Sequence, residues 1–263
     1  MPRFALRLAY DGTDFHGWQR QEPPGQDPLR TVQGTMDQAL TQVMQAPVTC
    51  QGASRTDAGV HAEAQVAAFT ADCRVPVERI PAALNARLPE DLRVMAAWPV
   101  PVDFDPVGDA VAKGYRYEIA VTDPFRARLP FDRHMVFHAQ QPLALPWMRQ
   151  AAAAIPGTRD FAALAHAQHG RESTVRTVHA CEVHALPDDR IAIDVSGNGF
   201  LYNMVRIIAG TLVEAGRGRI KPGDIPGILA SGDRARAGPT LPAQGLRLRW
   251  ILYPADRAEP RSP

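Results

Sequence analysis

Long apolar stretches are missing from this sequence. No run of about 18 or more apolar residues occurs, and the first ten residues carry Arg3 and Arg7 among their apolar neighbours. A membrane-spanning helix and the core of a signal peptide both need such an uninterrupted run. The sequence therefore excludes a helical membrane protein, and it predicts a cytoplasmic protein with no membrane partner.

Cysteine is scarce, and its spacing is uninformative. The three cysteines are far apart: Cys50, Cys73 and Cys181. An odd, scattered set argues against a disulfide framework and against a zinc site built on paired cysteines. The histidine pairs His134/His138 and His166/His169 have no carboxylate or thiol motif beside them to complete a metal site. No glycine-rich phosphate-binding motif is present either, so we expect neither a metal nor a cofactor.

Net charge is close to zero and lysine is nearly absent. A formal charge of +1 carries no nucleic-acid signature for the whole protein, so any RNA surface must come from local clustering. Of 29 basic residues only Lys113 and Lys221 are lysines, which leaves 27 arginines. Arginine forks suit phosphate groups and base edges. The base composition of the genome is an equally good explanation of the bias.

What is present is an ordinary globular composition with clear periodicity. The chain has 263 residues, 45% hydrophobic and 22% charged, which is enough to bury one or two cores. Phe4 to Tyr10 alternates like a half-buried strand, and Thr31 can cap a helix that Pro47 stops. The remaining elements of the first half are strands at Val48–Ala53 and His61–Thr70, a helix at Pro76–Leu88 and a strand at Leu92–Val100. This order is typical of a ferredoxin-like or RRM-like unit.

Several prolines and Gly108 mark a boundary near residue 105, so we expect one lobe at 1–105 and a second at 106–263. The second half repeats strands and helices. Its predicted elements are a strand from Tyr115, a helix at Leu143–Ile155, strands at Thr177–Ala185 and Arg190–Ser196, a helix from Asn198 to Gly216, and a strand from Leu246. The predicted fold class is α+β: two pseudo-related RRM/ferredoxin-like lobes with antiparallel sheets flanked by helices and a central catalytic cleft.

The stretch Gly52 to His61, GASRTDAGVH, carries the clearest chemical signal. Asp57 lies in a tight loop between two predicted strands, with small neighbours and with Arg55 two residues away. A carboxylate becomes a useful nucleophile or base when a substrate can approach it and a cation holds it ionised. The alternative is an Asx-type turn in which Asp57 caps only its own backbone.

Five segments in this order resemble the TruA family of tRNA pseudouridine synthases. They are YDGTDFHGWQRQ from Tyr10, TVQGTMDQAL from Thr31, RTDAGVHA from Arg55, Tyr115-Arg116-Tyr117, and NGFLYNMVRIIAGTL from Asn198. The resemblance covers most of the chain. It implies an isomerase that converts uridine to pseudouridine at nucleotides 38, 39 and 40 in the anticodon arm of tRNA, without a cofactor and as a homodimer.

The resemblance also implies roles for single residues. Asp57 matches the catalytic aspartate, and it would attack C6 of the base, attack C1′ of the ribose or remove a ribose proton. Arg206 would pair with Asp57, and Arg55 would occupy the space that the flipped base vacates. Tyr115 would contact the target base, and Leu246 would pack near the catalytic loop.

Two departures from the family pattern concern RNA binding. The segment Phe104 to Ala110 lacks an arginine usual in the family, and Leu164 replaces an aromatic residue near Phe161. We therefore expect that contacts with RNA are altered at these two places. The candidate RNA-contacting segments are Phe161–Arg176 and the segment around Trp18. The competing reading is a non-catalytic RNA-binding module, as RRM-like lobes often are. Asp57 disfavours it, because a carboxylate repels phosphate.

Overall fold

The computed structural model describes residues 1–25, 27–121, 130–166 and 172–259. The strands, in chain order, are β1 (Arg3–Tyr10), β2 (Gln51–Gly52), β3 (His61–Thr70), β4 (Leu92–Val100), β5 (Ala112–Val121), β6 (Phe137–Ala139), β7 (Gly157–Asp160), β8 (Val175–Leu186), β9 (Arg190–Gly197) and β10 (Leu246–Leu252). The helices are α1 (Val32–Met44), α2 (Ile80–Asn85), α3 (Leu145–Ala152), α4 (Met204–Gly216) and α5 (Ile225–Ser231). The predicted α+β class is confirmed.

The chain folds into two compact units. The first comprises Met1–Val111 together with Leu248–Pro263, and the second comprises Ala112–Arg247. The boundary therefore falls inside β10, so the end of the chain returns to the first unit.

The sheet of the first unit follows the strand order β4-β1-β3-β10, with the short β2 paired to β3. β1 is antiparallel to both β3 and β4, and β2 is antiparallel to β3. The helices α1 and α2 connect β1 to β2 and β3 to β4. This is the predicted ferredoxin-like succession.

Helix α1 begins where the sequence predicts. The Thr31 hydroxyl accepts a hydrogen bond from the Gly34 backbone N–H at 3.2 Å, which satisfies one of the unpaired donors of the first turn. Met36 and Leu40 are fully buried on the helix face. The helix ends at Met44, and the next residue, Gln45, caps it in the left-handed conformation two residues before Pro47.

Both faces of the first sheet are covered. On one face Phe4 lies opposite Phe69 in the β1–β3 register, with ring centroids 5.5 Å apart. The other face carries a cluster of small and aromatic side chains: Ala5, Ala53, Val66, Ala68, Trp98, Phe104 and Tyr253. Strands buried on both sides leave little room for polar groups unless each one is hydrogen-bonded.

The segment that lacks the family arginine is held by the end of the chain. The Tyr253 hydroxyl donates to the Pro106 carbonyl at 2.7 Å, and Arg257 forms an ion pair with Asp109. The Asp109 carboxylate also accepts from the Asp105 backbone N–H, and this bond, with Arg257, lowers the pKa of Asp109. Arg257 therefore ties the C-terminal segment to this part of the first unit through the carboxylates of Asp103 and Asp109.

The second unit has the strand order β5-β9-β8-β7, all antiparallel, with β6 parallel to β5. The predicted turn between β8 and β9 is confirmed. Asp188 and Asp189 have φ of 58° and 53°, the left-handed pair of a tight hairpin turn. Pro146 lies in the first turn of α3, as predicted.

The predicted start of the last long helix is wrong. α4 begins at Met204, and Asn198 is not its cap. Instead, the Asn198 side chain accepts from the Thr177 backbone N–H at 3.0 Å, and its own N–H donates to the Thr177 carbonyl. Asn198 therefore ties the chain to β8, and the helix starts only after Asn203, which has a φ of 61°.

Candidate active site

Asp57 lies in the loop that joins β2 to β3, and its side chain is half-buried. The loop turns sharply after it: the Val60 backbone N–H donates to the Asp57 carbonyl at 3.1 Å, and Gly59 has a φ of 77°. This closing bond uses the backbone oxygen of Asp57 and not the carboxylate. The turn therefore fixes the main chain of Asp57.

The segment after β1 lies directly on this loop. The Trp18 backbone N–H donates to the Thr56 carbonyl at 3.0 Å, and the Gly59 N–H donates to the Phe15 carbonyl at 3.2 Å. Gly17, with a φ of 88°, is so close that a Cβ atom there would lie 2.8 Å from the Thr56 carbonyl oxygen. Only glycine combines that conformation with that contact.

Trp18 is buried, so it does not stack on RNA as the sequence suggested. Its side chain is 1% exposed, and its indole ring packs on Gly52, where a Cβ atom would lie 2.2 Å from the ring. Gln19 and the backbone of Arg20 donate to the Gln33 side chain at 2.6 and 3.0 Å. This part of the segment is therefore ordered by α1.

A buried polar network lies beneath the loop, and the sequence analysis missed it. The Tyr10 hydroxyl is 2.8 Å from the Thr56 hydroxyl. The fully buried Gln65 accepts from the Ser54 N–H at 3.1 Å and donates to the Ser54 carbonyl at 2.6 Å. One sequence signal could have found Gln65: it directly precedes the apolar run Val66–Phe69, where a polar side chain needs partners.

His61 anchors the first residues after β1. Its ring is 3% exposed, and its Nδ1 atom accepts from the Gly12 N–H at 3.0 Å and lies 3.1 Å from a carboxylate oxygen of Asp11. Because Nδ1 accepts a hydrogen bond from the Gly12 N–H, this contact requires the form of the ring without a proton on that nitrogen. His61 thus has a structural role at the entrance to β3.

Arg55 is the cation of the loop. Its side chain is exposed, and among the described residues it forms neither a hydrogen bond nor an ion pair. It shares with Asp57 a loop whose backbone is fixed on both sides. A guanidinium in that position can meet a phosphate or a base edge.

Tyr115 lies on β5 of the second unit, opposite Val195 of β9. Its ring is 7% exposed and meets the ring of Phe200 edge to face, with centroids 5.3 Å apart. Its neighbour on the same strand face, Tyr117, is fully buried and donates to the Pro242 carbonyl at 2.7 Å. Burial also raises the pKa of Tyr117, which marks it as a core residue.

Arg206 lies in the first turn of α4. Its Nε atom donates to the Leu241 carbonyl at 2.7 Å, and a terminal nitrogen donates to the Asn203 side chain at 2.8 Å. These two hydrogen bonds orient the guanidinium group at two of its nitrogen atoms. The left-handed Asn203 is what brings its amide to the arginine.

Leu246 opens β10 and is buried. It follows a short turn, Ala243–Gly245, in which Gly245 lies against Tyr117; a Cβ atom there would be 2.6 Å from the ring. Tyr117 and Arg206 therefore both hold the segment that leads into Leu246, through the carbonyls of Pro242 and Leu241.

The predicted site residues fall into two groups. Arg55 and Asp57 share one loop of the first unit, whereas Tyr115, Arg206 and Leu246 belong to the second unit. The predicted Asp57–Arg206 pair and the packing of Leu246 near the loop stay predictions.

Leu164, which replaces an aromatic residue of the family pattern, is buried, as is Phe161 three residues before it. Part of the expected RNA contact at Phe161–Arg176, including His169, lies outside the described residues.

Among the described residues no three or more His, Cys, Asp or Glu side chains are grouped so that they could hold a metal ion. No helix in the same part of the chain has the length and apolarity needed to cross a membrane.

Comparison with known proteins gives a consistent result. The family model described as tRNA pseudouridine synthase matches residues 8–107 and 151–254. A protein named tRNA pseudouridine synthase A from Ruminiclostridium cellulolyticum is 41% identical over 253 residues, which is 96% of this chain and 100% of that protein. Proteins of the same name from Moorella thermoacetica and Thermoanaerobacter sp. are 43% and 42% identical, each over 96% of this chain and 100% of the relative.

Proposed function

Because this chain belongs to the family of tRNA pseudouridine synthases and is an isomerase acting on uridine in tRNA, we propose that its targets lie in the anticodon arm. The target uridines are those at nucleotides 38, 39 and 40. In the reaction the bond between uracil N1 and ribose C1′ breaks, the base turns, and a bond between C5 and C1′ forms; C5 loses its hydrogen as a proton and N1 gains one. The isomerisation has no net redox change, so catalysis depends on the carboxylate and on the shape of the site.

Asp57 is the catalytic carboxylate in this proposal. The observation that carries it is a partly exposed aspartate on a loop whose backbone is fixed from one side by the segment Phe15–Trp18 and from the other by Gln65. A reacting group held in one geometry avoids much of the entropy cost of reaching the transition state. A loop built only to bind RNA has no need of a rigid carboxylate.

The other residues bind and orient the substrate. Arg55, exposed beside Asp57, fills the space left by the flipped base, and Tyr115 contacts the target uracil. Arg206 balances the charge of Asp57, which favours the ionised carboxylate in a desolvated site. Leu246 supplies apolar packing near the loop. The anchoring of Arg206 supports this role, because hydrogen bonds to the Leu241 carbonyl and to the Asn203 side chain orient its guanidinium group.

The RNA and the assembly form the last part of the proposal. We place the enzyme in the cytoplasm, where tRNA is used, as a homodimer that holds one tRNA across both subunits. Sedimentation equilibrium of the protein alone and with tRNA tests the assembly. A monomer at all concentrations that nevertheless has full turnover would contradict it.

The substrate proposal is tested with anticodon-arm transcripts that carry uridine at one of nucleotides 38, 39 and 40, and with a transcript that has none there. Pseudouridine is mapped after incubation with wild-type protein and with Asp57→Asn. We expect modification at each of the three positions by the wild type and only background with the variant, because an amide cannot act as nucleophile or base. Its tRNA affinity should hold or rise, since a negative charge is lost near phosphates. Modification elsewhere in tRNA but at none of these nucleotides would refute the site choice, and turnover by the variant would refute the role of Asp57.

A further inference from the structure

The chain leaves the sheet at Ser54, three residues before Asp57, and the Gln65 side chain fixes the backbone at that point. The β2–β3 ladder ends at Gly52 opposite Ala67, and the next residue, Ala53, still donates to the Val66 carbonyl at 2.8 Å. At Ser54 the partner changes. Both backbone polar groups of Ser54 bond to the side-chain amide of Gln65, at 3.1 and 2.6 Å.

The Gln65 amide therefore stands in for a backbone peptide. An amide side chain offers one acceptor and two donors, so it can continue an antiparallel ladder for one residue after the main chains diverge. Gln65 is fully buried, where a polar group without partners would be strongly disfavoured. The geometry of Ser54 is thus tied to a rigid central strand.

The same amide reaches the second contact of the network. Its Nε2 atom lies 3.4 Å from the Tyr10 hydroxyl, and that hydroxyl lies 2.8 Å from the hydroxyl of Thr56, the residue before Asp57. Gln65 and Tyr10 therefore hold Ser54 and Thr56 from below. From the other side, Trp18 holds the Thr56 carbonyl.

We propose that Gln65 is a positioning residue for the isomerisation: it fixes the loop through Ser54 and, with Tyr10, aims Asp57 at the substrate. It does not contact the uridine itself. This inference rests on the proposed role of Asp57. Loss of the Gln65 amide should leave tRNA binding intact and reduce the rate of the chemical step.

The first unit contains a matched control for this clamp. Asn85, at the end of α2, uses its side-chain amide in the same way: it donates to the Val94 carbonyl at 2.9 Å and accepts from the Val94 N–H at 2.8 Å. It joins a helix to β4 and has no part in the Asp57 loop. Replacing either amide with an apolar side chain of similar size removes one two-bond clamp from the same unit.

The test compares Gln65→Met, Tyr10→Phe and Asn85→Leu with the wild type, using kcat, KM, tRNA affinity and melting temperature, all at a temperature where every protein is folded. We expect all three variants to melt earlier. For Gln65→Met we expect kcat to fall roughly 10- to 100-fold, with tRNA affinity within about threefold, because small misplacements of a reacting group cost that much. Tyr10→Phe should lower kcat less, and Asn85→Leu should keep the wild-type kcat.

Two outcomes overturn the proposal. Wild-type kcat in Gln65→Met would show that the Gln65 amide only stabilises the fold. An equal fall of kcat in Asn85→Leu would show the same, since a general loss of stability would then explain both. If Gln65→Met does not fold, Tyr10→Phe decides alone. Asp57→Asn is measured alongside: turnover in that variant refutes the proposed function, whereas its inactivity with an unaffected Gln65→Met refutes only the positioning role.

Discussion

The buried carboxylate of Asp37 is stabilised by one hydrogen bond and destabilised by its burial. Asp37, on α1, is 6% exposed, and one of its oxygens accepts from the Cys50 backbone N–H at 2.8 Å. Burial raises the pKa of Asp37 above its ordinary value of 3.8, and the bond from Cys50 only partly opposes this. A raised pKa means that the folded protein holds the proton more tightly than the unfolded chain does.

Asp37→Asn should therefore change how stability depends on pH. The contribution of Asp37 is most favourable below pH 3.8 and is lost as the pH rises through the raised pKa of the folded state. The asparagine variant keeps an acceptor for Cys50 but does not titrate. Its stability relative to wild type should rise with pH in that window, by at most about 1.4 kcal/mol per pH unit.

Denaturant unfolding of both proteins between about pH 4 and pH 8 checks this, with midpoint and slope fitted separately. Parallel pH profiles for the two proteins would show that Asp37 does not titrate differently in the folded state.

At the scale of elements, the segment after β1 and the loop after β2 are in direct contact, because glycine at Gly17 allows their backbones to approach closely. Gly17 and Gly25 both have positive φ, 88° and 72°. They differ in surroundings: a Cβ atom at Gly17 would lie 2.8 Å from the Thr56 carbonyl oxygen, whereas a Cβ atom at Gly25 would meet no atom within 4 Å among the described residues beyond its chain neighbours. A comparison of alanine at these two positions therefore distinguishes the cost of the left-handed backbone from the effect of a steric clash with the Asp57 loop.

Alanine at either glycine should cost about 1 kcal/mol for the left-handed conformation. Gly17→Ala should cost more and should also lower turnover, because the new methyl group pushes the Thr56 carbonyl away. Gly25→Ala should keep wild-type turnover. Melting temperatures and initial rates on one tRNA transcript measure both effects. Equal destabilisation and equal turnover in the two variants would mean that the close contact at Gly17 has no influence on the loop.

At the scale of the whole molecule, the charge balance constrains how tRNA is held. With a net charge of only +1, the protein must bind a polyanion through local groups of arginine. Binding through phosphates releases counterions, so affinity falls as salt rises.

We expect the dissociation constant for tRNA to rise about tenfold or more between roughly 50 and 200 mM salt, as two or three phosphate contacts would produce. The slope of log affinity against log salt, measured by titration, then counts the contacts. Arg55→Gln, at an exposed position, should reduce that slope by about one if Arg55 meets a phosphate. An affinity that does not respond to salt would contradict binding through arginine clusters.

Periodicity alone located most of the elements. The bounds of β3, β4 and β10 agree with the strands expected from alternating or continuous apolar residues, and Thr31 caps α1 as its side-chain chemistry predicts. These features depend on local sequence. Side chains alternate between the two faces of a strand, and an N-cap side chain bonds to the first turn of the helix that follows it. The motif around Asp57 was equally visible, because small residues and a charge pair lie within a few positions.

What only the tertiary structure decided is how buried polar and aromatic groups find partners distant in the chain. Trp18 was expected to contact RNA and Gln65 was not singled out, yet both are buried: Gln65 is bonded to Ser54, and Trp18 is packed on Gly52. Asn198 has the chemistry of a helix cap, but its side chain bonds to Thr177, and α4 starts six residues later. A side-chain amide or a ring has no preference of its own between these uses, so the choice depends on which backbone groups the fold brings within reach.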